Sequence, residues 1–152
     1  MMPLVSRVMV RTALLHLGLG ATIGGLMLLE KAWPLLPWLW LLRPGHIHLM
    51  ILGWTVQLAM GVAVWILPRF SASGDRGNLS LVWWGYGLLN SGVLLVLLHQ
   101  PSAYLAPGLP LQWMLPLAGL LELSAMLVLG YHVWRRVLPF REVPRPNAVA
   151  RR

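Results

Sequence analysis

Two histidines separated by one residue, His46 and His48, stand at the start of a long apolar segment that ends at Pro68. Neutral imidazole is a standard axial ligand of haem iron. Ionisable side chains are costly inside a membrane span, and there they indicate a function with a partner to be named. The simpler interpretation is that both are interfacial histidines, bonded to water or to loop carbonyls. The sequence leaves both interpretations open.

The spacing of small and polar residues divides this segment into two faces. The residues near multiples of 100° from His46 are Met50, Gly53, Gln57 and Gly61. Glycines on a membrane helix allow the close approach of either a neighbouring helix or a flat cofactor. His48 lies about 200° away in a regular helix, so the two imidazoles do not point into one bundle interior. We expect one to be a ligand and the other to face the interface, the loop or a propionate.

Two further residues extend the candidate haem or metal site. His99, near the end of a later apolar segment, is a candidate second axial ligand at a similar depth, although a histidine at a helix end is more often interfacial. Arg43 lies one turn before His46 and suits pairing with haem propionates. Copper or zinc bound by His46, His48 and His99 is a weaker alternative, because no carboxylate or thiolate accompanies the imidazoles.

Two other histidines and one glutamate lie within predicted spans. His16 and His132 form a candidate pair near the opposite membrane surface; alternatively, His16 hydrogen-bonds to Glu122. Glu122 either belongs to a proton path or is a neutral acid satisfied by a neighbouring helix, since desolvation favours its protonated form. We see no Ser/His/Asp set, phosphate loop or carboxylate pair, so the sequence indicates no hydrolytic chemistry.

The elements that must position these residues are membrane helices. The chain has 152 residues, of which 58% are hydrophobic and 11% charged, and its mean hydropathy is +0.70. Since about twenty helical residues cross the hydrocarbon core, the apolar runs predict spans at about 8–29, 46–67, 80–99 and 111–135. We therefore predict an all-α, four-helix membrane bundle over residues 1–138. The proline- and arginine-rich tail, 139–152, is predicted to be disordered.

The segments between the spans are rich in turn-forming residues. The stretch from Ala32 to Gly45 contains several tryptophans and prolines and predicts a loop or short helix at the membrane surface, ending in an Arg43-Pro44-Gly45 turn. Residues 71–79 form the one plainly polar loop. The N-terminus has no small-residue cleavage site and runs directly into a span, which predicts that it is mature sequence.

The distribution of charge predicts the orientation. Six of the eleven arginines lie at or beyond Arg135, others flank the first span and the 70s loop, and the third loop has none. By the positive-inside rule, both termini are cytoplasmic in a bacterial-type inner membrane, and His46, His48 and His99 lie on the outer side. Anchoring next to anionic lipid accounts for the net charge of +8, so nucleic acid is not an expected partner. The absence of cysteine excludes disulfides, iron–sulfur clusters and c-type haem attachment.

The second span resembles the second transmembrane helix of haem–copper oxidase subunit I and its nitric-oxide-reductase relatives. The resemblance rests on one pattern, Arg43-Pro44-x-His46-x-His48-Leu49, followed by Gly53-Trp54, Gly61 and Pro68-Arg69. The whole chain looks closest to short, four-span proteins described as oxidase subunit-I-like. In the large family this helix enters from the outer side, and its histidine is an axial ligand of a low-spin haem. The resemblance implies haem b and leaves open whether His46 or His48 is the ligand.

Departures from the large family limit what the resemblance implies. The large subunit has about twelve spans, and its second haem ligand, high-spin haem and copper ligands come from later helices that this chain lacks. The chain is therefore not an oxygen-reducing oxidase on its own. The opposite ligand would come from His99, from another copy in a homodimer or from another subunit of a respiratory complex; otherwise the iron stays five-coordinate. The hypotheses are electron transfer or nitric oxide binding by haem, a cofactor-free structural or assembly subunit, and a haem or metal carrier.

Overall fold

Four long helices make up the described part of the chain. The computed structural model describes residues 1–68 and 76–137, and every regular element in these ranges is helical. The helices are α1, Leu4–Ala32; α2, Pro37–Ile66; α3, Leu79–Leu105; and α4, Leu111–Trp134. All four are long and apolar enough to cross a membrane. The predicted all-α fold with four helices of membrane-spanning length is confirmed, and the orientation of the termini stays a prediction.

The helices turn apolar surface outward as well as inward. In the most apolar stretch of each helix, 28% of the residues of α1, α2 and α4 and 33% of those of α3 are buried. Large side chains such as Leu15, Leu28 and Trp84 are exposed. Such surfaces are compatible with contact to lipid. Because lipid tails are as apolar as leucine, helices associate in a bilayer through close packing at small residues. At Gly85, for example, an added Cβ would lie 2.5 Å from Leu129 Cγ of α4.

Helix α2 begins at Pro37, well before the predicted start at His46. It opens as a 3₁₀ helix, Pro37–Leu42, and continues directly as an α-helix, Arg43–His48. Proline is tolerated in the first turn of a helix because its missing N–H would lack a partner there. The predicted Arg-Pro-Gly turn is thus helical. His46 and His48 consequently lie inside a continuous helix and not in its first turn.

Helices α1 and α3 are also longer than the predicted spans, whereas α4 matches the predicted span 111–135 to within one residue. Helix α3 runs through Pro101 to Leu105, and α1 reaches Ala32 before the chain turns. Glu30, which is buried, stabilises that turn: its Oε2 accepts hydrogen bonds from the backbone N–H groups of Leu35 and Leu36. Most of the predicted polar loop at 71–79, and the predicted disordered tail at 139–152, lie outside the described residues.

The interior has two apolar clusters with polar side chains between them. One cluster lies where α1 starts and α4 ends, which we call the Arg136 end; its buried members are Val5, Met9, Val64, Val82 and Leu129. The second contains Ile23, Met27, Leu49 and Val93. Gln57, fully buried on α2, lies between the two in sequence order along that helix. Polar groups this deep need hydrogen-bond partners from neighbouring helices.

Candidate functional site

His46 points from α2 towards α1. Its Nδ1 lies 2.8 Å from the carbonyl oxygen of Gly20. A carbonyl only accepts hydrogen bonds, so Nδ1 is the donor, and Nε2 of the neutral ring keeps a free lone pair. The ring lies against Gly24, where an added Cβ would come within 2.7 Å of the imidazole Cε1. A ring whose Nδ1–H is held by a carbonyl is typical of metal-ligating histidines.

An open groove of about 510 Å³, which we call the His46 groove, lies beside this ring. It is lined by His46 and Trp40 of α2 and by Ala21, Gly24, Gly25, Met27 and Leu28 of α1. An added Cβ at Gly25 would meet no atom within 4 Å, so this part of the α1 surface is flat and open. The groove offers a flat ligand one imidazole nitrogen, a backbone surface and an indole ring.

His48 points to a different helix. Its Nδ1 lies 2.8 Å from Oε1 of Glu122 on α4. Gly92 of α3 makes room for this pair, since an added Cβ there would lie 2.6 Å from Glu122 Cγ. The sequence offered two partners for Glu122, a group on a neighbouring helix or His16. The structure shows a neighbouring helix, because the partner is His48 of α2. The sequence did not predict that the neighbour would be His48.

Arg43 lies beside His48 and not in the His46 groove. A smaller groove of about 320 Å³ is lined by Arg43, Pro44, Ile47 and His48. Arg43 is exposed at the surface of the bundle. The propionate-pairing role predicted for Arg43 therefore suits a ligand in the smaller groove, while the His46 groove has no arginine among its lining residues.

The glycine face of α2 packs against α1. His16 covers Gly53, where an added Cβ would lie 2.6 Å from the imidazole Nδ1, and Met9 covers Gly61 at 2.9 Å. Gln57 Nε2 donates to the carbonyl oxygen of Met9. Of the two occupants considered for this face, a neighbouring helix and a flat cofactor, the structure places the helix there. Gly53, Gln57 and Gly61 line neither of the two grooves.

A π-helix at Leu49–Val56 follows His48 directly. The sequence carried no signal that predicted it. Thr55 Oγ1 donates to the carbonyl oxygen of Met50, five residues earlier, which suits the wider turn. The π-helix does not turn the predicted glycine face away from α1. His46, which precedes the π-helix, and Gln57, which follows it, both form hydrogen bonds to carbonyl oxygens of α1. π-helical turns are frequent at functional sites.

The remaining predicted site residues do not join His46 and His48. His99 is half-buried and its Nδ1 has no hydrogen-bond partner within residues 1–68 and 76–137. His16 and His132 are both buried and lie about 15 Å apart along the helix axes, so they form no inner pair. No three His, Cys, Asp or Glu side chains of the described ranges are close enough together to hold a metal ion.

A hydrogen-bond network joins three helices in the middle of the bundle. Asn90 Nδ2 of α3 donates to Gln57 Oε1 at 2.8 Å and to the carbonyl oxygen of Tyr86 at 2.7 Å. Gln57 Nε2 donates to Met9 O of α1 at 3.1 Å. Tyr86 OH and Thr12 Oγ1 are 3.0 Å apart. Gln57, the polar residue on the glycine face, thus links α2 to both α1 and α3.

We expect Gln57→Leu to lower the free energy of unfolding by about 2–3 kcal/mol, because it leaves the hydrogen bonds of Met9 O and Asn90 unmade. Reversible unfolding in mixed micelles measures the change. Gln112→Leu, at an exposed position near the start of α4, is the matched control and is expected to change the value by less than about 0.5 kcal/mol. Equal effects of the two substitutions would contradict a buried network.

No protein-family model, curated protein or solved structure matches this chain. The resemblance to oxidase subunit I, whose only specific motif is in the second span, stays a prediction from the sequence. Function has to be argued from the geometry around His46 and His48.

Proposed function

We propose that this protein is a membrane-embedded b-type haem protein in which Nε2 of His46 is an axial ligand of the iron. The observation that carries the proposal is the bond from His46 Nδ1 to the carbonyl oxygen of Gly20. In the neutral ring this bond fixes the tautomer, so that the lone pair of Nε2 is free to ligate a metal, and the ring lines an open groove.

The His46 groove fits a flat macrocycle on three counts. Gly25 presents backbone without a side chain, Trp40 supplies an aromatic wall, and the lining beside His46 is otherwise apolar. Gly53, Gln57 and Gly61 are left out of the proposed site, because α1 covers them. The iron would supply the redox or gas-binding chemistry. The chain would hold the imidazole in one orientation and keep water away from it.

The second ligand separates the two forms of the proposal. An imidazole from a second copy or from another subunit would give a six-coordinate iron and electron transfer. An open position would give binding of a diatomic gas such as nitric oxide. In either form the protein would act in a bacterial inner membrane with its termini in the cytoplasm, as a component of a respiratory complex and not as a complete oxidase.

The test is the absorption spectrum of protein purified from haem-replete cells. We expect a Soret band near 410–430 nm that His46→Ala abolishes. His99→Ala is the matched control, since His99 lines neither groove, and is expected to retain the band. Loss of the band in His48→Ala alone would move the ligand to the smaller groove beside Arg43. A colourless, folded wild-type protein would refute haem binding.

A cofactor-free structural or assembly subunit is the second candidate. It is favoured by the packing of the glycine face, which α1 fills with His16 and Met9. In this alternative His46 only ties α2 to α1, through Gly20 O. His46→Asn separates the two functions: the amide can still donate to that carbonyl and preserve packing, but it does not ligate haem iron.

A further inference from the structure

Seven buried side-chain polar atoms have no hydrogen-bond partner among the described residues; three are Trp54 Nε1, Arg76 Nε and His99 Nδ1, and the other four lie on α1, α3 and α4. These four are Ser6 Oγ, His16 Nδ1, Asn90 Oδ1 and His132 Nε2. The side chains of Ser6, His16 and His132 are only 0%, 8% and 4% exposed. In a membrane protein neither bulk water nor lipid tails can satisfy such atoms, and unpaired buried polar groups are rare for that reason. Their clustering in one small bundle needs a physical cause.

The acceptor role of Asn90 Oδ1 is fixed by its neighbours. Asn90 Nδ2 donates to Tyr86 O, and Gln57 Nε2 donates to Met9 O. Both partners are backbone carbonyls, which only accept, so neither amide group can be turned over without losing a bond. Asn90 Oδ1 therefore needs a hydrogen donor that no described side chain supplies.

The four atoms occupy two levels of the bundle. At 1.5 Å per helical residue, Ser6 and His132 lie about 3 Å from the Arg136 end of α1 and α4. His16 and Asn90 lie about 16–18 Å from that end, near the middle of the bundle. Thr12 and Tyr86, whose oxygens are 3.0 Å apart, lie between the two levels at about 11–12 Å. Met9 and Leu129 of the apolar cluster, both fully buried, also lie between the two levels, about 7–8 Å from that end. The unpaired polar groups therefore form two separate levels and not a continuous line.

We propose that the bundle interior binds water at these two levels, beside Ser6 and His132 near the Arg136 end and beside His16 and Asn90 near the centre. Water both donates and accepts hydrogen bonds, so it satisfies the acceptor on Asn90 and either state of the two imidazoles. His46 and the His48–Glu122 pair have partners in the protein and are not part of the proposal. This inference does not depend on haem.

The first test is water-edited solid-state NMR of the wild-type protein in lipid bilayers. Magnetisation from water should reach the side chains of His16, Asn90 and His132 about as fast as it reaches residues at the membrane surface. Leu89 and Val93, both fully buried, are the internal controls and should respond slowly. Transfer to His16 and Asn90 as slow as transfer to Leu89 overturns the proposal.

The second test uses substitutions that remove one unpaired atom with little change of shape. In a dry interior, His16→Phe and Ser6→Ala would remove an unsatisfied polar group and raise the denaturation midpoint. In a hydrated interior, both lose hydrogen bonds to bound water and lower the midpoint. Thr22→Val, at an exposed position whose hydroxyl already donates to Gly18 O, is the control and should leave it unchanged. A raised midpoint for His16→Phe overturns the proposed water near the centre of the bundle. A raised midpoint for Ser6→Ala overturns the proposed water near the Arg136 end.

Discussion

Replacing Arg136 with alanine is expected to lower the free energy of unfolding by about 3–5 kcal/mol. The side chain is buried, at 1% exposed, and its guanidinium donates to three carbonyl oxygens at the end of α2. These are Val64 O at 2.8 Å, Leu67 O at 2.6 Å and Pro68 O at 3.1 Å. The last carbonyls of a helix have no partner within it, so the substitution leaves all three unpaired.

Equilibrium unfolding in mixed micelles measures this loss, and Arg135→Ala is the matched control. Arg135 has the same charge, is exposed, and lies over the ring of Tyr131 with 5.7 Å between its Cζ and the ring centroid. Removing it is expected to cost less than about 1 kcal/mol. Arg136→Lys should recover only part of the loss, because an ammonium lacks the planar fork that reaches three oxygens. Similar losses for Arg135→Ala and Arg136→Ala would contradict a specific role for Arg136.

The charge of Arg136 illustrates a limit of sequence interpretation. Counting arginines grouped it with the surface anchors of the tail, because the positive-inside rule uses only position along the chain. The structure buries it against α2, and burial together with the neighbouring Arg76 lowers its pKa from the ordinary value. Arginine stays protonated after such a shift. Arg136 is buried and Arg135 is exposed because only Arg136 faces the end of α2. Counting charges along the chain gives no information about which helix lies opposite.

The helices and the glycine face could be predicted because both follow from local periodicity. Hydropathy over about twenty residues finds each span, and the 100° rotation per residue brings Gly53, Gln57 and Gly61 to one side. The identity of the neighbour is not local. His48 and Glu122 are 74 positions apart in the chain, and their pairing depends on how α2, α3 and α4 pack. The sequence therefore named both residues without joining them.

The start of α2 could not be predicted for a different reason. Pro37 predicts an interruption of regular helix and Pro44 predicts a turn before the span, although proline also suits the first turn of a helix. The structure uses both in the second way, the first at the start of the 3₁₀ helix and the second at the start of the α-helical segment. Local sequence does not show whether a proline ends a helix or begins one, because that depends on whether the preceding N–H groups find partners.

Gly45→Ala is expected to lower the free energy of unfolding by about 2–3 kcal/mol. Gly45 is part of the predicted turn before His46, yet it is buried in α2 against α3. An added Cβ would lie 2.6 Å from Leu97 Cδ1 and 2.8 Å from Leu97 Cα. A side-chain carbon can rotate away, but a backbone carbon cannot, so α2 and α3 would have to separate.

Gly87→Ala gives the matched control, and the same unfolding measurement is expected to change in the opposite direction. Gly87 lies inside α3, and an added Cβ there would meet no atom within 4 Å. Alanine is a better helix former than glycine, so this variant should gain up to about 1 kcal/mol. A gain in both variants would contradict the close contact of α2 with α3 at Leu97. Because His46 is the next residue after Gly45, separating α2 from α3 should also disturb the bond from its imidazole to Gly20 O, which links the packing of this glycine to the proposed ligand.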